Sequence, residues 1–402
     1  MMTASAPPRQ AVVVAGGRGT RLRPLTDARP KAMVEVGGKP FLDHLLEQLR
    51  DEGLAEVLLL IGYRAEVILD HVGDGSAWGL RVSAVVTDPD DETSTRVLAA
   101  RDRLHARFLF LYSDNYWPLQ MERLWRDYVR SDRPAIVTIY RNKDGYTRSN
   151  VRVVDGAVVE YDPTRSRPGL GGVEIGYAIL PRDVVDLVDA TDRSFEKVVY
   201  PRLVEDRLLA AHETDHRYYS MGSIERLPLT EAFFARRPML ILDRDGVLNR
   251  RPPRAEYVRL PEDIEWMPGT FEALRLLTGA GYRFVVVSNQ AGIARGVMSH
   301  GELATIERHM RDVLEREGVE IEQFYYCPHG WDDGCDCRKP RPGMLFQAQR
   351  DFHLDLTRTL FVGDDERDGE AAEAAGSPFA MVDDKRSLLD VAHELVTSGV
   401  VR

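Results

Sequence analysis

The sequence predicts an α/β protein built from two doubly wound domains. Short apolar, β-branched runs alternate with amphipathic stretches at helical spacing, and the first apolar run of each half enters a turn rich in glycine or aspartate. Strands and helices that alternate in this way form parallel sheets covered by helices. A length of 402 residues suits two or three domains, and Arg-Arg-Pro at residues 236–238 breaks the closing helix of the first half. We expect domains over residues 10–236 and 239–402, after a disordered start over residues 1–9.

Composition and charge exclude several classes of function. The chain is 44% hydrophobic and 29% charged, which is typical of a folded globular protein rather than a disordered one. Its net charge of -11 argues against a general nucleic-acid binder. No run has the apolar length of a membrane span, and the first ten residues lack the apolar core of a signal peptide. We expect a cytoplasmic enzyme without nucleic-acid or membrane partners, and homo-oligomer formation stays open.

The first half begins with a glycine-rich turn suited to an anion. The apolar run from Ala11 leads into Gly16, Gly17 and Gly19, and several arginines follow. Glycines let backbone amides approach an anion closely, and fixed cations suit a triphosphate during displacement of pyrophosphate. The spacing matches neither the dinucleotide fingerprint nor the Walker loop. Plain turn chemistry is the alternative for a glycine loop considered alone.

The longer run that ends at Leu42 resembles the signature of the sugar-phosphate nucleotidyltransferases, a Rossmann-like family that makes nucleoside diphosphate sugars. The resemblance implies that the three glycines cradle the nucleotide and that Arg21 contacts its phosphates. It also implies that Lys31 stabilises the reacting phosphoryl group and that Asp114 binds catalytic Mg²⁺. Glu174 stands where the family contacts its sugar, although an exposed strand-edge glutamate is an equal alternative.

Two departures from the family pattern concern phosphate and metal binding. Asp162 precedes a proline where the family commonly has a lysine for the sugar phosphate, so the cation must come from elsewhere, with Arg165 and Arg167 as candidates. Ser220 occupies the position of the family's second metal-binding aspartate, and a hydroxyl is a poor substitute for a carboxylate on a hard cation. Either Asp114 and the nucleotide phosphates hold the metal, or this half is weakened.

The second half opens on Leu-Ile-Leu-Asp-Arg-Asp-Gly-Val-Leu-Asn, residues 240–249. Side chains alternate along a strand, so Asp243 and Asp245 can face one pocket at the end of a parallel sheet. One carboxylate can attack phosphorus while the other moves the proton of the leaving group, beside a bound Mg²⁺. Two aspartates in an ordinary turn would be the simpler explanation for this spacing alone.

All three cysteines lie in one short segment together with a histidine. Cys327, His329, Cys335 and Cys337 form a Cys-x-His, five residues, Cys-x-Cys array. Four such donors predict a closed, tetrahedral and therefore structural Zn²⁺ site, and the alternative is a loop with reduced thiols.

The second half resembles the haloacid dehalogenase (HAD) superfamily in its Asp-Arg-Asp-Gly motif. Further motifs, Ser-Asn-Gln-Ala-Gly-Ile-Ala-Arg-Gly, Cys-Asp-Cys-Arg-Lys-Pro and Val-Gly-Asp, are similar to one branch, the D-glycero-D-manno-heptose 1,7-bisphosphate and histidinol-phosphate phosphatases. The resemblance implies that Asp243 is the nucleophile and Asp245 the acid and base. It implies Mg²⁺ ligands at Asp243, Asp245 and Asp364, with Asp368 as a partner, and phosphoryl-group contacts at Asn249, Ser288, Asn289 and Lys339. Arg295 and Arg338 would read the phosphate left at C1.

Together the halves predict two consecutive steps in the synthesis of a nucleotide-activated heptose. The second domain would remove the C7 phosphate, and the first would transfer a nucleotidyl group to the heptose 1-phosphate, with GTP as the first candidate donor. Two alternatives remain open: a phosphatase carrying a non-catalytic nucleotide-binding domain, and a histidinol-phosphate phosphatase with an unrelated fusion partner.

Overall fold

The chain divides into two compact units, Met1–Phe234 and Ala235–Arg402, in a computed structural model that describes residues 6–189, 191–235, 237–253 and 256–398. The expected domain boundary, between residues 236 and 239, lies close to this division. The expected disorder over residues 1–9 does not hold for residues 8 and 9, because Pro8 is buried and the Arg9 carbonyl accepts hydrogen bonds from the amides of Ala55 and Glu56. Residues 1–5 lie outside the described residues.

The first unit is organised around a mixed sheet. Its strands are β1 (Gln10–Val14), β2 (Glu35–Val36), β3 (Lys39–Pro40), β4 (Glu56–Ile61), β5 (Arg81–Val86), β6 (Arg107–Tyr112), β7 (Asn115–Tyr116), β8 (Ala135–Tyr140), β9 (Val151–Val154), β10 (Ala157–Tyr161), β11 (Val173–Pro181), β12 (Leu209–Thr214) and β13 (Tyr219–Ser220). Among the described residues, nine strands form the main sheet in the order β5-β4-β1-β6-β11-β8-β12-β10-β9. The half from β5 to β6 is parallel, whereas β11 runs antiparallel to both β6 and β8.

Helices cover this sheet on both faces. They are α1 (Phe41–Asp51), α2 (Ala65–Val72), α3 (Thr93–Ala99), α4 (Met121–Ser131), α5 (Phe195–Glu205) and α6 (Leu227–Phe234). Every residue of β1 is buried, which fits a parallel strand with layers on both sides. Its side chains alternate between two cores, because Val13 joins the cluster under α1 while Val12 joins the cluster under α5. The strand β1 therefore lies between two apolar cores, and the glycine-rich turn begins just after it.

The second unit is a parallel five-stranded sheet within the part of the chain that the structure describes. Its strands are β14 (Met239–Leu242), β15 (Arg283–Asn289), β16 (Ile321–Cys327), β17 (Phe361–Gly363) and β18 (Phe379–Met381), in the order β16-β15-β14-β17-β18. Its helices are α7 (Thr270–Gly279), α8 (His300–Arg316), α9 (Gly343–Phe352), α10 (Glu366–Ala375) and α11 (Leu388–Thr397). Because β14 lies between β15 and β17, the residues after these three strands meet at one edge of the sheet.

Membrane-spanning helices are not found in the described part of the chain, where no helix combines the length and the apolar character that a bilayer requires.

Two candidate active sites

The glycine turn of the first unit rests on a buried arginine. Arg96, from α3, is 2% exposed, and its guanidinium donates hydrogen bonds to the carbonyls of Gly16 (3.2 Å), Ile61 (3.1 Å) and Asp88 (3.0 Å). A Cβ atom on Gly16 would lie 2.3 Å from Cζ of Arg96, so only glycine fits there. Gly17 has open space around it, which leaves its backbone free for close approach by a phosphate.

The lysine and the aspartate expected beside the nucleotide form an ion pair. Lys31 lies in a short 3-10 helix and its Nζ is 2.5 Å from Oδ2 of Asp114, which follows the end of β6. The Lys31 side chain is mostly buried, so the pair has low exposure to water. Gly19 is left-handed at φ 63° and its carbonyl accepts the Thr26 hydroxyl, which closes the loop beneath this pair. Arg21, by contrast, is exposed.

Ser220 differs from the family pattern, which has a second metal-binding aspartate at this position. β13 pairs with β7, which sets Ser220 opposite Asn115, and the Met221 amide donates to the Asp114 carbonyl at 2.8 Å. The Ser220 hydroxyl accepts from the Gly222 amide at 3.0 Å. The backbone therefore sets Ser220 close to Asp114, but the Ser220 side chain is a hydroxyl with a local partner.

Asp162 has a structural task at the position of the missing lysine. Its carboxylate accepts the amides of Thr164, Ser166 and Arg167 at 2.9, 2.7 and 2.8 Å, and these bonds and the Thr164 hydroxyl hold the pKa of Asp162 well below its usual range. Of the two candidate replacement cations, Arg167 pairs with Glu160 and Arg165 donates to a backbone carbonyl.

Glu174 belongs to an interior strand of the sheet, so it is not a strand-edge glutamate. It lies on β11, is half-buried, and accepts the Gly176 amide at 2.6 Å. Burial raises the pKa of Glu174 to about 7. The negative charge of Glu174 contributes to the raised pKa of Tyr161, Tyr200 and Tyr218.

In the second unit, one buried lysine holds two aspartates together. Nζ of Lys339 lies 2.8 Å from Oδ1 of Asp243 and 2.7 Å from Oδ1 of Asp368, and it also donates to the Val287 carbonyl. Burial raises the pKa of Asp243 even though Lys339 opposes the shift. Burial alone would lower the pKa of Lys339, but the two carboxylates hold it above its ordinary value.

Asp245 has its own set of hydrogen-bond partners. Its carboxylate accepts Arg244 (Nη2, 2.9 Å to both oxygens), Asn249 (2.9 Å) and Gln290 (2.9 Å). Burial would raise the pKa of Asp245, yet the Arg244 charge and these hydrogen bonds keep it below its usual value. The side-chain oxygens that converge on a common point are those of Asp243, Asp364 and Asp368, all within 4.8 Å of one another. The Asp245 carboxylate is not among these three, and the role of Asp245 as a Mg²⁺ ligand stays a prediction.

The edge of the sheet explains why these groups meet. Asp243 follows β14, Asp364 follows β17, and the Asp243 amide donates to the Val362 carbonyl on the neighbouring strand. Gly246 has φ 99°, and a Cβ atom there would lie 1.8 Å from Oδ2 of Asp364. The Asp-Arg-Asp-Gly turn therefore requires glycine at residue 246, because a side chain there would clash with Asp364.

The end of β15 supplies polar groups next to the reacting carboxylates. Ser288 is buried, with its hydroxyl 3.4 Å from Oδ2 of Asp245. Asn289 exchanges two hydrogen bonds with the backbone of Lys339, at 3.0 and 3.1 Å. Asn289 therefore fixes the loop that carries the lysine.

A cavity of about 840 Å³ opens over these groups and is rich in arginine. Asp243, Asp245, Ser288 and Lys339 lie at its base, and its walls include Arg251, Arg338, Arg341 and Arg367. Arg338 donates to the His329 carbonyl at 3.3 Å. Arg295 lies beside the cavity residues Tyr257 and Trp331, with Cζ 5.8 and 5.5 Å from their ring centroids.

The cysteine array closes into a compact cluster. The distances between ligand atoms are 3.6 Å for Cys327 to His329, 3.6 Å for Cys327 to Cys335, 3.2 Å for His329 to Cys337, 3.3 Å for Cys327 to Cys337 and 3.5 Å for Cys335 to Cys337. These sulfurs are too far apart for a disulfide, whose bond is about 2.05 Å. Thiolates on a tetrahedral Zn²⁺ with bonds of about 2.3 Å would stand about 3.8 Å apart. The donor set and its spacing therefore fit such an ion.

Comparison with known families assigns each unit to an enzyme class. Residues 10–149 match the nucleotidyl transferase family, and residues 336–392 match the HAD-hydrolase-like family. The chain is thus an enzyme that joins a nucleotidyltransferase to a HAD-type phosphatase.

Curated relatives identify the branch more closely. The chain is 39% identical over 150 residues to the D-glycero-β-D-manno-heptose-1,7-bisphosphate 7-phosphatase of Rhodopseudomonas palustris, covering 36% of this chain and 82% of the relative. It is 43% identical over 138 residues to the enzyme of that name from Pseudomonas aeruginosa, covering 34% and 76%. The chain belongs to the family of D-glycero-D-manno-heptose-1,7-bisphosphate 7-phosphatases.

A solved structure supports the nucleotidyltransferase fold. A protein from Bacillus anthracis described as a glucose-1-phosphate thymidylyltransferase, solved with sucrose, covers 56% of this chain and 95% of its own, at 16% identity and a TM-score of 0.50. This likeness concerns the fold alone.

Three arginines that matter in the structure were not singled out from the sequence. Arg96 supports the glycine turn, Arg244 holds Asp245, and Arg251 pairs with Asp364 and Asp365. Arg244 could have been noticed, because a charged residue between two functional aspartates at the end of a buried strand must itself be buried. Arg96 and Arg251 reach their partners across long stretches of chain, and no local pattern marks them.

We predict that Arg96→Met destabilises the first unit by about 3 kcal/mol or more, because buried carbonyls lose a charged donor. Urea unfolding followed by tryptophan fluorescence measures this change. Arg101→Met is the matched control, since Arg101 is exposed and pairs with Asp186, and it should change stability by about 0.5 kcal/mol at most. Equal effects of the two substitutions would contradict the supporting role of Arg96.

Proposed function

We propose that this chain removes the C7 phosphate of a heptose 1,7-bisphosphate and then transfers a nucleotidyl group from a nucleoside triphosphate to the resulting heptose 1-phosphate. The observation that carries the first step is the Lys339 ion pair with Asp243 at the base of an arginine-rich cavity. The names of the phosphatase relatives supply the bisphosphate substrate. The nucleotidyl transferase match, together with the Lys31–Asp114 pair, supports the second step.

In the phosphatase step, Asp243 attacks the C7 phosphorus, and the bond from phosphorus to the sugar oxygen breaks. The sugar oxygen takes a proton from Asp245, and an aspartyl phosphate forms on Asp243. Asp245 then accepts a proton from water, which attacks the aspartyl phosphate and releases inorganic phosphate. Lys339 balances the charge of Asp243 throughout, while Ser288 lies close enough to Asp245 to contact the transferred group.

Asp243, Asp364 and Asp368 would hold Mg²⁺ in this step. Their oxygens converge within 4.8 Å, and carboxylates are the ligands that this hard cation prefers. The metal, when bound, polarises the phosphoryl group and offsets the negative charge of the site. Arg251 and Lys339 already balance part of that charge.

Substrate recognition in the cavity would rest on arginines. Arg338 lines the wall, and Arg295 lies against the cavity residues Tyr257 and Trp331. An arginine that packs against aromatic rings loses little freedom on binding, and its fork suits a phosphate. We assign Arg295 and Arg338 to the phosphate that stays at C1.

In the transferase step, the oxygen of the sugar 1-phosphate attacks the α-phosphorus of the triphosphate, and pyrophosphate leaves. Gly16, Gly17 and Gly19 would bring backbone amides to the nucleotide, and Arg21 is exposed where it can reach the phosphates. Lys31 would stabilise the charge that develops on the reacting phosphoryl group. Asp114 would hold Mg²⁺, and Glu174 would bind sugar hydroxyls. GTP is the first donor to test.

Cys327, His329, Cys335 and Cys337 would bind a structural Zn²⁺ in the second unit. The cluster leads directly into Arg338 and Lys339, so the ion would order the segment that carries both cations. Structural zinc stabilises folded loops because its ligands converge only in the folded state.

We predict that Asp243→Asn abolishes phosphate release, with a loss of at least 1,000-fold, and leaves pyrophosphate release from heptose 1-phosphate intact. Asp114→Asn should abolish pyrophosphate release and leave phosphate release intact, because each aspartate serves one site. Separate assays of phosphate and pyrophosphate on both variants test this division of labour.

Absence of pyrophosphate release in the wild type would contradict the transferase step. If the wild-type chain releases phosphate but no pyrophosphate with any of the common nucleoside triphosphates, the first unit is a binding module. The Ser220 hydroxyl, in place of a carboxylate, is the observation that favours this second function.

We further predict that the purified chain contains one zinc per molecule and that Cys337→Ser lowers this content at least fivefold, since one of four ligands is lost. Elemental analysis by mass spectrometry measures the metal. Cys337→His is the matched control, because imidazole remains a zinc ligand and should retain most of the metal. Full zinc content in the serine variant would exclude this site.

A further inference from the structure

The first unit still requires a cation for the phosphate of its sugar substrate. Asp162 occupies the expected lysine position and caps a turn instead. We propose that Arg226 binds the 1-phosphate of the sugar substrate in the first unit. This inference rests on the proposed transferase function and adds to it the residue that recognises the anionic end of the attacking sugar.

The backbone places Arg226 beside the metal side of the site. Arg226 ends a 3-10 helix, Ile224–Arg226, just after the segment that follows β13. The Thr230 hydroxyl lies 3.0 Å from the Ser220 carbonyl and 3.2 Å from the Arg226 carbonyl, so these two residues are neighbours. Ser220 in turn is opposite Asn115, the residue after Asp114. The Arg226 side chain therefore begins close to where the reacting phosphates would lie.

The Arg226 guanidinium packs against two tyrosine rings. Its Cζ lies 4.7 Å from the ring centroid of Tyr146 and 6.0 Å from that of Tyr218. Its Nη1 is buried and has no hydrogen-bond partner among the described residues. Stacking occupies the flat face of a guanidinium and leaves its edge donors available, which is the arrangement that binds a phosphate with two hydrogen bonds.

The other nearby arginines already have partners. Arg217 also stacks on Tyr146, at 4.5 Å, but it forms a short ion pair with Asp144. Arg165 donates to the Arg148 carbonyl at 2.9 Å. The side chain of Arg167 is 63% exposed and pairs with Glu160 at 3.2 Å. Arg226 is therefore the arginine in this region that we expect to be available for a phosphate.

Glu174, the proposed sugar-binding carboxylate, acts on one of the tyrosines that Arg226 packs against. Burial raises the pKa of Tyr218, the positive charges of Arg226 and Arg165 oppose that shift, and Glu174 reinforces it. Tyr218 is thus within electrostatic range of both Arg226 and Glu174. In this proposal the sugar 1-phosphate places its phosphate at Arg226 and its hydroxyls at Glu174.

Steady-state pyrophosphate release by the full chain tests this assignment. With heptose 1-phosphate and the triphosphate varied in turn, Arg226→Ala should raise KM for the sugar phosphate at least tenfold and leave KM for the triphosphate within twofold. Arg226→Lys should recover at least half of the loss on a logarithmic scale, because it restores the charge but not the two-pronged geometry. Phosphate release by the second unit and the thermal unfolding curve report whether each variant is folded.

Arg107→Ala is the matched control. Arg107 also packs on two aromatic rings, with Cζ 5.4 Å from Trp125 and 5.1 Å from Tyr128. It begins β6, whereas Asp114 follows the other end of that strand, about 20 Å away at roughly 3.3 Å per residue. Its substitution should leave KM for the sugar phosphate unchanged.

Direct binding separates failure of this inference from failure of the proposed function. Heptose 1-phosphate is titrated by calorimetry into wild type and Arg226→Ala, each with Mg²⁺ and a non-hydrolysable triphosphate analogue. Lost binding in the variant supports the assignment, even if the wild type transfers no nucleotide. An active wild type with an unchanged KM in Arg226→Ala overturns the assignment and leaves the function standing, and a wild type that binds no sugar phosphate overturns both.

Discussion

The second unit depends on a positive charge buried between two negative ones. An ammonium group such as that of Lys339 is stable in a protein interior only where carboxylates surround it, and the same carboxylates would repel one another without it. Asp243 follows β14 and Asp368 lies in α10, so the lysine also ties together separate elements at the sheet edge. Asn289 fixes the backbone of this lysine from a third strand. Asp243, the carboxylate cluster and Lys339 are therefore one electrostatic assembly.

The first unit uses a related arrangement with a different support. Lys31, from a short 3-10 helix, pairs with Asp114 just beyond the end of β6, and the buried guanidinium of Arg96 positions the glycine turn. Each unit thus places a lysine-aspartate pair at the carboxyl edge of a parallel sheet, where open loops can receive a phosphate. The two units differ in the direction of their chemistry, since one breaks a phosphate ester and the other would form a phosphoanhydride bond.

Local pattern in the sequence was sufficient for much of the fold. The expected alternation of strands and helices is present in both units, and Asp243 lies directly after a strand, as expected. The antiparallel strand β11 inside the first sheet was not anticipated, because an apolar strand has the same pattern whichever way it runs. The closing helix expected over residues 223–235 is divided into a 3-10 turn and α6, and Arg226 lies at that junction.

The site was less predictable where long side chains reach across the fold. In a chain with 53 lysines and arginines, nothing local separates Arg96 or Arg251 from a surface cation. The carboxylate of Asp245 likewise binds its neighbour Arg244 and the side chains of Asn249 and Gln290. Such pairings depend on which groups are buried together, and only the folded structure shows this.

The central claim, that one chain carries out two consecutive steps on one sugar, is tested most directly by a time course. Wild-type protein is incubated with Mg²⁺, a heptose 1,7-bisphosphate of each anomer and each nucleoside triphosphate in turn, and phosphate and pyrophosphate are measured separately. The account predicts that phosphate appears first and that pyrophosphate follows after a lag, with one triphosphate preferred. Pyrophosphate formed without prior phosphate release, or phosphate alone under every condition, would contradict it.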